Sequence, residues 1–103
     1  MMFKLNFKFT KKGFTKYISH LDLMRLLSRA MRRAGLALKF SEGYSPHVKL
    51  SLKRALKLGL ESEEEEGRIA LREWIRPEEF AEKLQKQLPE GIAIKQVTWE
   101  LRQ

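Results

Sequence analysis

The sequence predicts an α+β fold in which two helices cover one face of an antiparallel sheet. Three observations predict it. Several segments place a hydrophobic residue at every second position, and in two other segments hydrophobic residues recur at helical spacing. Gly or Pro separates these segments. The chain has 103 residues, of which 43% are hydrophobic. We therefore expect one domain, residues 1–103, built around one core.

The N-terminal part predicts a strand followed by a helix. In residues 3–9, Phe and Leu alternate with Lys and Asn, which is the period of a strand with one buried face. Ser19 and Asp22 have the spacing of a capping box, and apolar residues then recur every three or four positions. Gly35 suits a left-handed C-terminal cap, so a helix is predicted over residues 19–34.

The middle of the chain predicts short strands and a loop. Residues 36–40 are a strand candidate, residues 41–46 hold the Gly and Pro of a structured loop, and residues 47–52 alternate again as a strand. The acidic residues 61–66 are interpreted as a solvated turn. This turn leads into the hairpin partner of that strand, which is predicted at residues 69–73.

The C-terminal part predicts a second helix and a last strand. Pro77 suits the first helical turn, because its missing amide would be unpaired there, and Pro89 and Gly91 end the helix. Two hydrophobic phases in residues 92–101 predict a strand with a bulge near Lys95. The resulting order, β-α-β-β-α-β, is that of the ferredoxin-like, split βαβ arrangement.

Charge is unevenly distributed along the chain. Residues 1–58 hold 14 Lys and Arg against two acidic residues, residues 59–103 hold seven against eleven, and the net charge is +8. A basic half creates a field that attracts phosphate-rich partners, and we therefore predict binding to a polyanion, above all RNA. The alternative interpretation is a mixed Lys/Glu surface of the kind found in heat-stable proteins.

The candidate binding residues are those that would contact a phosphate or an unpaired base. Arginines of the first helix and basic residues near the second strand are predicted to form one continuous phosphate-binding surface: Arg25, Arg29, Arg32, Arg33, Lys49, Lys53 and Arg54. Tyr17, Tyr44 and His47 are predicted to contact bases or a protein partner. Phe14 and Phe40 are assigned to the core.

The residue inventory restricts the chemistry. The chain has no Cys, which excludes disulfides, iron–sulfur clusters and thiolate zinc sites within it. Its two His make a poor metal site, so we expect neither a metal nor a cofactor. The apolar runs are too short to cross a bilayer and nothing resembles a signal peptide, which predicts a cytoplasmic protein without a membrane partner. The sequence does not indicate an oligomeric state.

Four segments resemble a known family: YISHLDLMRL at 17–26, RAMRRAGL at 29–36, SEGYSPH at 41–47 and LGLES at 58–62. On these motifs the chain resembles the radical-SAM-linked domain of unknown function. Members are fused to, or encoded beside, radical S-adenosylmethionine enzymes, so the resemblance implies substrate recognition in RNA processing or modification. Family domains are about twice this length, and the resemblance is to their first half. The chain lacks the radical enzyme's three cluster cysteines, and residues 53–57 are basic where relatives are apolar and proline-rich.

Two other functions compete with RNA binding. If Tyr17, His20, Tyr44 and His47 converge, they form a pocket for metal-independent RNA cleavage, and the fold order resembles that of CRISPR RNA-processing endoribonucleases. The spacing is not diagnostic and His20 is equally compatible with a structural role, so no catalytic residue is assigned. The third hypothesis is a protein–protein adaptor that docks a radical SAM enzyme.

Overall fold

The structure is a computed structural model that describes residues 2–55 and 57–100. Its elements are β1 (Phe3–Lys11), a 3₁₀ helix (Gly13–Tyr17), α1 (His20–Arg33), β2 (Leu50–Leu52), β3 (Ser62–Leu71), α2 (Pro77–Gln85) and β4 (Ile94–Trp99). The strands form one antiparallel sheet in the order β2-β3-β1-β4. The predicted α+β fold with a ferredoxin-like arrangement is confirmed. No helix within the described ranges is long and apolar enough to cross a membrane.

The core lies between the two helices and one face of the sheet. Leu5, Phe7 and Phe9 alternate along β1, are almost fully buried, and join side chains of both helices in one hydrophobic cluster. The ring of Phe7 lies 6.2 Å from that of Phe80 in α2. On the neighbouring strand Gly67 pairs with Phe7, and a Cβ added there would lie only 2.4 Å from the ring. The missing side chain therefore gives the central ring its space.

The first helix begins and ends within one residue of the prediction. The Ser19 Oγ accepts a hydrogen bond of 3.2 Å from the amide of Asp22, and Gly35 follows the last turn with a φ of +73°. Leu23, Leu27 and Met31 are fully buried on the inner side of the helix. The charged residues of α1 are consequently left on its outer side.

The acidic run differs from the prediction, because residues 62–66 lie inside β3 and not in a turn. The strand tolerates these carboxylates because basic side chains lie beside them. Lys8 of β1 lies 3.5 Å from Glu64, and Lys53, directly after β2, lies 2.7 Å from Glu66. The hairpin partner of β2 therefore begins at Ser62, seven residues earlier than predicted.

The strands on either side of the loop are shorter than predicted. Residues 36–40 contribute only isolated bridges, Leu38 with Leu71 and Phe40 with Val48, and β2 is confined to Leu50–Leu52. The Lys39 amide bonds to the Ala70 carbonyl of β3, but the chain folds back after Phe40, which pairs with Val48 and does not continue along the sheet. Residues 36–40 are therefore not a regular strand.

The bulge predicted near Lys95 is confirmed. Lys8 pairs with Gln96 and Phe9 pairs with Ile94, so β4 carries one extra residue at this point. The bulge reconciles the two hydrophobic phases, since Ile94 and Val97 both pack against the core. Leu101, the end of the predicted strand, lies outside the described residues.

Candidate nucleic-acid interface

Three arginines form a stripe along the outer side of α1. Arg25, Arg29 and Arg32 are exposed, and their spacing of four and three residues places them on one side of the helix. Arg25 lies 3.4 Å from Asp22, one turn earlier. Among the described residues, no carboxylate lies within 4 Å of Arg29 or Arg32. We call Arg25, Arg29 and Arg32 the arginine stripe.

Arg33 does not belong to this stripe. Its Nε and Nη2 donate hydrogen bonds of 3.2 and 3.0 Å to the side-chain and backbone oxygens of Gln87, just beyond α2. Arg33 therefore joins the C-terminal ends of the two helices. The prediction that it contacts phosphate together with the other three is not supported by this placement.

A loop formed by residues 41–47 lies beside the end of the stripe. Its base is closed by the bridge between Phe40 and Val48, by a 2.8 Å bond from the Ser41 amide to the His47 carbonyl, and by a 3.0 Å bond from the His47 amide to the Ser41 Oγ. The Arg32 guanidinium lies 5.5 Å from the centre of the Phe40 ring. This contact joins the loop to α1.

The side chains of this loop are open to solvent. Tyr44 is fully exposed, and His47 is exposed near the base. Ser45 adopts a positive φ of 51°, which bends the backbone next to Tyr44. Two of the three residues predicted to contact bases thus belong to a loop that is connected to the arginine stripe through the contact of Phe40 with Arg32.

Lys49 and Lys53 lie on a different surface. They alternate with the half-buried Leu50 and Leu52, so they project from the sheet face that the helices leave open. The carboxylate of Glu66, 2.7 Å from Lys53, accepts its hydrogen bond and raises the pKa of the lysine. The predicted continuous surface is therefore wrong in this respect: the sheet separates these lysines from the arginine stripe.

Arg54 is engaged by a buried carboxylate. Its Nε and Nη2 donate hydrogen bonds of 3.0 and 2.6 Å to Glu65, which also accepts one from the Ser62 hydroxyl and is only 4% exposed. These hydrogen bonds, above all those from Arg54, hold the pKa of Glu65 below its usual range. One of the two bidentate edges of the Arg54 guanidinium, formed by Nε and Nη2, is therefore occupied.

A buried lysine completes this charged group. Lys11 is fully buried, and its Nζ donates a hydrogen bond of 2.7 Å to the carbonyl of Ile18. Burial lowers the pKa of Lys11, and the nearby charge of Glu65 acts in the opposite direction. We call Lys11, Arg54, Ser62 and Glu65 the buried charge cluster, after its two buried members, Lys11 and Glu65. The hydrogen bond from Lys11 to Ile18 connects the cluster to the chain between the 3₁₀ helix and α1.

The predicted four-residue catalytic pocket is not formed. Tyr17 is exposed in the 3₁₀ helix with the Lys16 Nζ 5.2 Å from its ring centre, and the buried Nδ1 of His20 has no hydrogen-bond partner. Among the described residues, neither is hydrogen-bonded to or stacked on Tyr44 or His47. His20 begins α1, whereas the contact that holds the loop is made by Arg32, about 18 Å further along the helix axis.

The assignment of Phe14 and Phe40 to the core is also wrong. Phe14 is 90% exposed because the 3₁₀ helix lies beyond the end of the sheet and turns Thr15 inward in its place. Phe40 is 40% exposed and packs on the Arg32 guanidinium at the surface. No hydrophobic periodicity exists in these two short segments that would have distinguished the inner from the outer positions.

Residues 4–100 match a family described as "Uncharacterized protein conserved in bacteria (DUF2344)". Neither the curated proteins nor the solved structures contain a significant match. Within the described residues, no group of three His, Asp or Glu side chains is placed to hold a metal ion.

Proposed function

The chain belongs to the bacterial protein family DUF2344, and we propose that it is an RNA-binding module that holds a single strand along α1. The supporting observation is that the arginine stripe adjoins an exposed aromatic loop while the carboxylates of β3 are engaged elsewhere. Phosphates would lie on Arg25, Arg29 and Arg32. Tyr44 and His47 would contact the bases at the end of the helix.

The distribution of ion pairs supports the outer side of α1 as the RNA-binding surface. Lysines of the sheet are neutralised by β3, as in the pairs of Lys8 with Glu64 and Lys53 with Glu66. In α1, by contrast, Asp22 is the only acidic residue beside four arginines. Like charges held on one helix face repel one another, and phosphates bound between them relieve that repulsion. Along α1, Arg29 and Arg32 therefore offer a polyanion positive charge that no carboxylate among the described residues offsets within 4 Å.

The exposed tyrosine supports single-stranded RNA as the ligand. A tyrosine ring surrounded by water has a free face on which an unpaired base stacks, and stacking of this kind tolerates any sequence. Bases inside a duplex offer no such face. Tyr44 stands in a loop whose base is closed by backbone hydrogen bonds, so little ordering is needed on binding.

We further propose, from the resemblance to radical-SAM-linked domains, that the bound RNA is the substrate of a radical SAM enzyme. The chain itself contains no Cys to hold an iron–sulfur cluster. In this proposal its residues bind and position the RNA, and the chemistry is carried out by the partner. Transfer of radioactivity from labelled S-adenosylmethionine to RNA only when both proteins are present would support the pairing.

The arginine stripe is tested by neutralising it. In the variant R25Q/R29Q/R32Q, the affinity for a fluorescein-labelled oligouridylate should fall roughly 100-fold near 0.1 M salt, because each lost phosphate contact changes the salt slope by about 0.7. Fluorescence anisotropy between about 50 and 200 mM salt measures both the Kd and the slope, which should become about two units shallower.

The matched control removes the same charge from the open sheet face. The variant K4Q/K49Q/K53Q should keep most of the slope, since these lysines face away from α1. An equal loss in both variants would mean that net charge alone determines binding. Affinity that does not change with salt would contradict the proposal altogether.

Tyr44 is tested by the variant Y44A. Loss of one stacked base should weaken oligouridylate binding by about 1–3 kcal/mol, or about 5-fold to 150-fold, while the salt slope stays unchanged. The control is W74A, which removes an exposed aromatic ring that lies outside the loop. Equal binding by Y44A and the wild-type chain would remove the loop from the interface.

A further inference from the structure

Exposed apolar side chains gather at the end of the molecule where β1 leads into α1. Phe14 and Tyr17 belong to the 3₁₀ helix, Leu21 to the first turn of α1, and Leu58 and Leu60 to the turn before β3. All five are more than half exposed. We call these five residues the apolar patch.

Two hydrogen bonds hold the separate segments of the patch together. The amide of Gly59 donates a bond of 2.7 Å to the carbonyl of Lys16, and the amide of Gly13 donates one of 2.7 Å to the Glu61 carboxylate. The turn at Leu58 and Leu60 is thereby fixed against the 3₁₀ helix, although more than 40 residues separate the bonded positions. The apolar side chains of the two segments share one surface.

The segment beneath the patch is rigidly supported. Lys11 of the buried charge cluster bonds to the Ile18 carbonyl, and the amide of Lys12 bonds to the Gly91 carbonyl at 2.9 Å. The Thr15 hydroxyl bonds to the Lys12 carbonyl. A surface that is already ordered loses little conformational entropy when a partner binds, which favours association.

The composition of the patch indicates a protein partner. Single apolar side chains on a surface are ordinary, but a contiguous group of large ones marks an interaction site. Leu21, Leu58 and Leu60 are aliphatic, so they offer no ring on which a base could stack. Of the five patch residues only Phe14 and Tyr17 carry rings, so most of the patch differs in this respect from the loop around Tyr44.

The charges around the patch indicate the chemistry of that partner. Of the nearby carboxylates, Glu63 is paired with Lys12 at 2.6 Å, whereas Glu61 accepts a hydrogen bond from the neutral Gly13 amide and keeps its one negative charge. Lys16 and Lys57 have no carboxylate within 4 Å among the described residues. The net uncompensated charge is therefore positive. Two-fold pairing with a second copy would bring these lysines towards one another, which disfavours self-association.

We propose that the apolar patch docks a partner protein through an amphipathic segment in which aromatic or aliphatic side chains are flanked by Asp and Glu. The apolar side chains of that segment cover the patch, and its carboxylates lie against Lys16 and Lys57. This interaction goes beyond RNA binding and does not depend on it, since none of the arginine stripe takes part.

The proposal is tested with a library of random peptides displayed on phage and selected on the whole chain. The wild-type protein should enrich peptides in which apolar residues alternate with Asp or Glu. The variant L21S/L58S/L60S, in which only exposed side chains change, should not enrich them. The control W74S alters an exposed apolar residue outside the patch and should enrich the same peptides as the wild type.

A synthetic peptide with the selected sequence then serves as the probe. Its Kd should rise at least about tenfold for L21S/L58S/L60S, which is the loss of about 1.4 kcal/mol, while oligouridylate binding and thermal melting stay unchanged. The proposal fails if the selected peptides lack acidic residues, or if the triple variant binds them as well as the wild type. It also fails if the patch instead mediates dimerisation of the chain or adsorption to phosphatidylglycerol vesicles, with the triple variant abolishing either.

Discussion

Replacing Gly91 with alanine is expected to lower the free energy of unfolding by more than about 3 kcal/mol. Gly91 adopts a φ of +103°, a conformation that side chains rarely accept. A Cβ at this position would also lie 2.3 Å from the Lys12 carbonyl oxygen and 2.9 Å from the Thr15 Oγ1. The energetic costs of the backbone strain and of the clash with the Lys12 carbonyl therefore add at this one position.

Gly35 provides the matched control for this experiment. It also has a positive φ, +73°, but a Cβ there would meet nothing within 4 Å. The variant G35A should therefore lose only about 1–2 kcal/mol, the cost of a left-handed conformation. Urea denaturation of both variants measures the difference. Equal losses would show that the contact with Lys12 and Thr15 is relieved at no cost.

Replacing Glu65 with alanine is expected to destabilise the fold by about 3–4 kcal/mol. The carboxylate is buried and receives hydrogen bonds from Arg54 and Ser62, and Lys11 is buried close by. Without it, the charge of Lys11 would stay buried with no opposite charge. The control is E64A, because Glu64 is exposed and its pair with Lys8 faces solvent. Similar losses in both variants would contradict a special role for the buried carboxylate.

The same carboxylate gives a pH dependence with a definite sign. Because the pKa of Glu65 is lowered in the folded protein, its ionised form stabilises the fold above the unfolded-state pKa. This contribution is lost as the pH falls below about 4 and passes through the folded-state value. The difference in stability between the wild type and E65Q should therefore shrink in acid. The measurement covers about four pH units below pH 7. A stability difference that stays constant over this pH range would contradict the expectation.

Much of the fold could be predicted because local patterns carried it. The alternation in β1 and the cap at Ser19 depend only on neighbouring residues, and the change of hydrophobic phase near Lys95 required a bulge. The acidic run could not be placed in this way. Glutamates at consecutive positions resemble a solvated turn, and they become acceptable in β3 only because other strands place basic side chains beside them.

The candidate site was predictable to the same extent. Arg25, Arg29 and Arg32 share a helix face by their spacing alone. The alternation of residues around β2 determines from which side of the sheet Lys49 projects. Arg54 is engaged by Glu65, which lies eleven positions further along the chain. Such long-range relations arise from tertiary pairing. The net charge of the first half of the chain therefore predicted a wider positive surface than the structure has.

The pairing of charges across the open sheet face also affects how the molecule would approach the polyanion proposed as its ligand. Lys8 with Glu64, Lys53 with Glu66, and Arg68 with Glu100 pair three of the basic side chains on that side, whereas Arg29 and Arg32 of α1 have no carboxylate within 4 Å among the described residues. A polyanion would therefore be attracted by the guanidinium groups of Arg29 and Arg32 on the outer side of the first helix. Under the proposed function this attraction would act before contact, so that diffusing molecules would arrive with the helix turned towards the ligand.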